Sequence, residues 1–248
     1  MDETLAGKAA LITGGARRVG AAIARRLHAA GASVLLHYRD SQAEAAKLAG
    51  ELNALRAKSA ATVKAELLAP IAPRALVTAV RQEFGRLDIL VNNASAFFAV
   101  EIGAIESSHW EELIGSNLRA PLFICQEALP ELAANAGSIV NIIDIHADRP
   151  LKGYAVYTIA KAGLAALTRS LALELAPRVR VNGVAPGAIA WPDDGQFSEG
   201  ERARILATTP LGRTGSPEDI AQAVHFLACA PYVTGQILAV DGGRSIFI

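Results

Sequence analysis

The chain has 248 residues, 52% hydrophobic and 19% charged, enough apolar surface to offset the ordering entropy of a folded domain and to exclude global disorder. Lysine plus arginine and aspartate plus glutamate balance at 24 each, so no basic excess points to nucleic acid and no like-charge run forms a tail. Cys125 and Cys229 show no metal spacing and read as buried thiols, residues 1–8 are polar rather than secretory, and no apolar run approaches the ~20 residues of a membrane helix. A single cytoplasmic domain over residues 1–248 is expected, without a membrane or nucleic-acid partner.

The apolar run 9–13 predicts a first strand, broken by Gly14 and Gly15. A helix follows over 17–30, a second strand over 33–38 and a helix over 42–56. Then come a strand at 60–66, a helix at 73–84 and a strand at 87–92. The stretch 109–132 reads as a helix broken near Gly115, and 138–143 as a fifth strand. A long helix over 154–175 is ended by Pro177, and 179–184 is the sixth strand. The chain closes with a helix at 218–228 and a strand at 236–240. Apolar strands alternating with helices predict an α/β fold: one doubly wound Rossmann-type domain, its parallel sheet covered by helices on both faces. The least regular stretch is 188–200, rich in Gly, Pro and acidic residues; so long a loop is usually functional or mobile.

The first strand meets its helix through Thr13-Gly14-Gly15-Ala16-Arg17-Arg18-Val19-Gly20. Glycines permit a tight turn and close approach of a pyrophosphate, and the helix N-terminus offers free N–H groups and a positive dipole end. NAD-binding proteins of this fold often carry an acid at the end of the second strand for the ribose hydroxyls. Here His37, Tyr38 and Arg39 occupy that place, followed by Asp40 and Ser41. Arg17, Arg39 and the Ser41 hydroxyl are suited to a 2′-phosphate, which favours NADPH; Asp40 reads as a cap for the next helix.

Tyr157 and Lys161 stand four residues apart on a predicted helix and so face one way. An ammonium beside a phenol stabilises the phenolate and makes the tyrosine a better proton relay. In order along the chain come Thr13-Gly14, Leu90-Val91-Asn92-Asn93-Ala94, Asn117, Tyr157 with Lys161, Val181-Asn182 with Val184, Pro186-Gly187 and Val240-Asp241-Gly242-Gly243. This pattern resembles the short-chain dehydrogenase/reductase family over essentially the whole chain. The resemblance implies a nicotinamide cofactor, Tyr157 as proton donor, and Lys161 binding the nicotinamide ribose. It implies that Asn117 holds a relay water, that Asn93 lines the cofactor, and that Val19, Ala94, Ser95, Pro186 and Gly187 add to that site. It further implies a homotetramer.

Two departures narrow the reading. Thirteen residues before Tyr157, where the family places a serine, stands Asp144, and Arg18 replaces a glycine of the turn. Both are similar to pteridine reductases, as are Asn92-Asn93-Ala94-Ser95-Ala96-Phe97, His37-Tyr38 and Leu173-Glu174-Leu175-Ala176-Pro177. That branch implies reduction of dihydrobiopterin-, dihydromonapterin- or dihydrofolate-like substrates. It implies that Phe97 sandwiches the pterin against the nicotinamide, and that Ser95 and Arg18 bind the ring's polar edge and the cofactor phosphates. A carboxylate would repel a developing alkoxide, so Asp144 suits ketone reduction poorly; hydrogen-bonded to Tyr157, it is placed to protonate a C=N nitrogen. Asp144 also reads as a strand-end cap, Phe97 as core, and Trp191 as either a substrate contact or a packing residue. His109 and His146 read as structural. The competing readings are a 3-oxoacyl-type carbonyl reductase whose serine was replaced and a catalytically idle binding protein.

Overall fold

The computed structural model describes residues 4–191 and 197–247. Its strands are short and apolar: β1 (Ala9–Ile12), β2 (Ser33–Tyr38), β3 (Ala60–Lys64), β4 (Ile89–Asn92), β5 (Ser138–Ile142), β6 (Arg180–Pro186) and β7 (Ile237–Val240). They form one sheet in the order β3-β2-β1-β4-β5-β6-β7, every neighbouring pair parallel. The helices are α1 (Arg18–Ala29), α2 (Gln42–Leu55), α3 (Ala72–Phe84), α4 (Ser107–Ile114), α5 (Ala120–Ala134), α6 (Ala155–Leu175), α7 (Glu199–Ala207), α8 (Pro217–Cys229) and α9 (Arg244–Phe247). This is the doubly wound architecture expected from the alternation of elements.

Side chains of a strand alternate between faces, so a strand buried on both sides is apolar throughout. In β1, Ala10 and Ile12 join the core under α1, α2 and α8, with Ile23, Leu48 and Val224. Ala9 and Leu11 join the opposite core, with Leu76 of α3, Ile124 of α5 and Leu175 of α6. Among the described residues no helix is long and apolar enough to cross a membrane.

Three details differ from the sequence expectation. The helix expected at 109–132 starts earlier, at Ser107, and does not break at Gly115; a π-helical turn over Gly115–Arg119 joins α4 to α5. Gly115 permits contact rather than a stop, since a Cβ there would lie 2.5 Å from Leu68 Cδ2. Secondly, α7 begins inside the stretch 188–200 that was expected to be irregular. A capping box starts it: Ser198 N–H donates to Glu201 Oε2 at 2.8 Å, and Glu201 N–H donates to Ser198 Oγ at 3.3 Å. Residues 192–196 of the 188–200 stretch lie outside the described residues. Thirdly, α9 forms at the C-terminal end, where no element was expected.

The strand order reverses at β1, which lies between β2 and β4. Ligands in such sheets bind outside the carboxyl ends of the strands at that switch point. Here the chain is packed tightly: a Cβ on Gly20 would lie 2.1 Å from the Gly14 carbonyl oxygen. Gly20→Ala should therefore destabilise the fold by about 1–3 kcal/mol, the range for overpacking. Urea denaturation reads this, and an unchanged midpoint would show that the turn can give way.

Candidate active site

The glycine turn after β1 is fastened on two sides. From β4, Asn93 Nδ2–H donates to the carbonyls of Thr13 and Gly14, at 2.9 and 3.0 Å. Thr13 Oγ1 in return accepts from the backbone N–H groups of Asn93 and Ala94. From β2, His37 accepts the Gly14 N–H on Nδ1 at 3.0 Å, and its backbone carbonyl accepts the Gly15 N–H at 2.9 Å. Its Nε2 bonds to the Ala65 carbonyl at 3.1 Å, which assigns the neutral Nε2–H tautomer. Arg18 opens α1 at φ +47°, a left-handed conformation that glycine adopts freely and other residues only with strain. That is the physical content of the departure noted at this position.

The proton-bearing groups meet at the end of β5. Asp144 is half-buried and caps the single 3₁₀ turn Ile145–Ala147, its Oδ1 accepting the His146 N–H at 2.8 Å. Its Oδ2 accepts the Tyr157 O–H at 2.7 Å. Both sequence readings of Asp144, cap and partner of Tyr157, thus hold at once. The four-residue spacing on α6 brings Lys161 Nζ to 5.6 Å from the Tyr157 ring centroid, and Nζ donates to the Ile142 carbonyl at 3.0 Å. Burial, joined by the Asp144 charge and its hydrogen bond, pushes the Tyr157 phenol well above its ordinary range. The Tyr157 hydrogen points at Asp144, while Lys161 stands over the ring. Burial lowers Lys161 to about 8, with Asp144 opposing the shift.

Aromatic rings surround this pair. Phe97 stacks on Tyr154 with centroids 4.7 Å apart and meets Tyr157 edge-on at 4.7 Å. Phe197 lies 6.4 Å from Phe97, and Trp191 lies 5.8 Å from Phe197. The Arg202 guanidinium sits over the Trp191 ring at 5.4 Å. Trp191 therefore packs within an aromatic chain that leads to Tyr157.

A cleft of about 560 Å³ joins most of the expected cofactor residues. Gly14, Arg17, Arg18, Val19, Tyr38, Arg39, Ser41, Asn93, Ala94, Ser95 and Phe97 line it. Tyr157, Lys161, Pro186 and Gly187 do not; Gly187 is needed for packing, since a Cβ there would lie 2.7 Å from Asp241 Cβ. His37, expected among the cofactor residues, lines the cleft, but it is 2% exposed and both its ring nitrogens bond to protein, so it would act through the turn and not by ring contact with the nucleotide. Asp40 does not cap α2: Ser41 holds the N-cap position without a side-chain bond, and Asp40 accepts from Arg39 Nε at 2.7 Å. Arg17 lies 3.8 Å from Glu44. Asn117, in the π turn, donates through Nδ2 to the carbonyls of Ala96 and Leu113 and accepts the Ser95 O–H at 2.7 Å. Its side chain thus anchors the Ser95–Ala96 segment, and the relay water implied for it would have to use other groups.

Arg18 Nη2–H reaches across to the Ala190 carbonyl at 2.8 Å. His109 and His146 are structural as expected, accepting the Glu106 N–H and contacting the Arg149 carbonyl. Glu66, Leu67 and Leu68, just beyond β3, also line the cleft and escaped the sequence reading. The strand order that makes β3 a neighbour of β2 is the signal that points to them.

The residues fit a dinucleotide. The turn admits no Cβ at Gly20, and one on Gly14 would lie 3.1 Å from Ala94 Cα, so the glycines let the turn pack closely beneath the start of α1. The first N–H groups of α1, at Arg18, Val19 and Gly20, have no intrahelical partner, and the N-cap Arg17 supplies no side-chain bond. These groups would hold the phosphates, and Lys161 would reach the ribose next to the nicotinamide.

Lys161 offers a test of the buried charge. Its folded pKa of about 8 lies below the ordinary 10.5, so between those values the unfolded chain holds more protons, and stability rises with pH. Wild type should therefore gain in Tm relative to Lys161→Met as pH climbs from about 8 towards 10.5. A gap independent of pH would contradict a desolvated ammonium.

The family profile described as enoyl-(acyl carrier protein) reductase matches residues 14–245. Pteridine reductase 1 of Leishmania tarentolae is 40% identical, over 96% of this chain and 96% of that protein. The 3beta-hydroxysteroid dehydrogenase 1 of Eggerthella lenta is 35% identical, over 100% and 97%. A 3-oxoacyl-(acyl-carrier-protein) reductase of Staphylococcus aureus is 35% identical, over 95% and 97%. With the parallel sheet, the glycine turn and the Tyr157–Lys161 pair in place, the chain belongs to the short-chain dehydrogenase/reductase family of nicotinamide-dependent oxidoreductases.

Proposed function

We propose that this protein uses NADPH to reduce a C=N bond in a pterin-type ring. The observation that carries the reading is the hydrogen bond from the Tyr157 phenol to the Asp144 carboxylate, 2.7 Å long, at the position where a serine would serve a carbonyl. Bound nicotinamide supplies a hydride to the ring carbon. The ring nitrogen must then gain one proton. Tyr157 and Asp144 hold a proton between two oxygens, and the half-buried Asp144 links the pair to solvent for its replacement. A ketone would instead develop an alkoxide beside a carboxylate, which repels it. The rings of Phe97, Tyr154 and Phe197 suit a flat heterocycle, and an aromatic contact contributes about 0.5–1.5 kcal/mol beyond burial. The relative named pteridine reductase 1 points the same way.

The nucleotide preference rests on the end of β2. No acid follows Tyr38 directly; Arg39, Arg17 and Ser41 line the cleft and would meet a 2′-phosphate, with Asp40 and Glu44 holding the two guanidiniums in reach. A homotetramer is also proposed. Leu122 and Phe123 of α5 and Ile159 of α6 are 37%, 45% and 50% exposed, apolar surface that a second copy would cover. The second reading, reduction of a carbonyl, is favoured by relatives of nearly equal coverage whose names describe oxoacyl and hydroxysteroid substrates.

The test is a kcat–pH profile on dihydrobiopterin. Activity should fall only at strongly alkaline pH, where the Tyr157 phenol, held above its ordinary range by burial and by Asp144, loses its proton. Asp144→Asn keeps the shape but removes the carboxylate charge beside the phenol. It should lower kcat about a hundredfold, the lower end for general acid catalysis, and move the alkaline fall to lower pH while nucleotide affinity is kept. Full turnover with an unchanged profile would return Asp144 to its capping role.

A further inference from the structure

His37 is spent on the protein interior rather than on a ligand, yet its partners belong to the nucleotide turn. Gly14, at φ +61°, has its N–H held by His37 Nδ1 and its carbonyl held by Asn93 Nδ2. One imidazole therefore fixes one side of a glycine whose other side is pinned by Asn93, just beyond β4. The same residue's carbonyl takes the Gly15 N–H, and its Nε2–H anchors the ring to Ala65 beyond β3. Both glycine amides are thus withheld from any phosphate, leaving that work to the N-terminus of α1. We propose that His37 is the positioning residue of the dinucleotide site, holding the glycine turn in its binding conformation only while the imidazole is neutral.

The geometry sets the sign. A backbone N–H can only donate, so Nδ1 must accept, and protonation would set one N–H against another. With Nε2–H on Ala65, the neutral ring satisfies both partners and the charged ring satisfies one. Burial disfavours the charged ring and lowers its pKa from the ordinary histidine value, while the Ala65 carbonyl and the Glu66 carboxylate pull the other way. Arg17, Arg18, Arg39 and Asp40 line the same cleft, Glu44 pairs with Arg17, and Lys64 is exposed at the end of β3. The turn should therefore hold at neutral pH and be released in acid. This rests on the nucleotide site and not on the pterin substrate, so the two readings fail separately.

Calorimetric titration of the full chain with NAD+ and with NADP+, from about pH 5 to pH 8 and without a second substrate, tests it. NAD+ is needed because the 2′-phosphate of NADP+ titrates in the same range. The NAD+ Kd should be flat near neutrality and weaken at the acid end, by up to about tenfold per pH unit, as the ring takes up its proton. In His37→Asn, whose amide oxygen can still accept from Gly14 but does not titrate, that acid limb should vanish. Ring ¹⁵N shifts of the wild type should show the Nε2–H tautomer giving way to the charged ring in step with the loss of affinity. These shifts decide the matter even if His37→Asn fails to fold. A flat NAD+ Kd to pH 5, the same limb in His37→Asn, or lost affinity while the ring stays neutral would each overturn the proposal. Failure to bind either nucleotide at any pH would overturn it together with the nucleotide site.

Discussion

The hydrogen bond from Tyr157 to Asp144 ties together the parts of the fold that matter for chemistry. Asp144 leaves the end of β5 and is held there by the His146 N–H. Tyr157 and Lys161 come from one face of α6, and Lys161 returns a bond to the Ile142 carbonyl, two residues before Asp144. The strand and the helix are therefore locked to each other on both sides of the reacting position. Because Tyr157 is 4% exposed and Lys161 2%, water screens little of the field between them and Asp144, and each proton shift there is felt by the others.

The nucleotide side obeys a different constraint, close approach of backbone to backbone. Gly14 and Gly20 are adjacent because neither carries a Cβ, and Asn93 stitches that turn to β4. Arg18 departs from this economy: it accepts a left-handed backbone conformation and sends its guanidinium to the Ala190 carbonyl, across the mouth of the site. Local strain of this kind persists where the surroundings over-determine it, and here it brings a cation between the turn and the segment that leads to Trp191.

Most of the strands were legible because apolar runs bounded by glycines have few alternatives in a two-face-buried sheet. The Tyr157–Lys161 pair was legible as two residues on one helix face set among the other motifs, and Asp144 from the resemblance, which implies a serine at its position. Other features were not. Gly115 reads as a break in sequence, but its missing Cβ serves contact with Leu68, which lies far along the chain. His37 sits among cleft residues and reads as a ligand; only the neighbouring turn and β3 reveal that both its nitrogens face inward. Asn117 and Ser95 are 22 residues apart, and no pattern shows that one anchors the other. The capping box that starts α7 was present as Ser198 and Glu201, overshadowed by the glycines and acids around it.

The same scaffold serves oxoacyl, steroid and pterin reductases by name, so substrate choice must come from the few groups around Tyr157. Here these are a carboxylate in place of a hydroxyl and a row of aromatic rings. Under the proposed function, together they favour a flat ring that needs a proton on nitrogen over a carbonyl that develops negative oxygen. The most direct measurement is kcat/KM of the wild-type enzyme with NADPH for dihydrobiopterin and for a 3-oxoacyl thioester, side by side. The account predicts turnover of the pterin at least about a hundredfold more efficient, equivalent to about 2.7 kcal/mol in the transition state. Equal values, or a preference for the thioester, would contradict it.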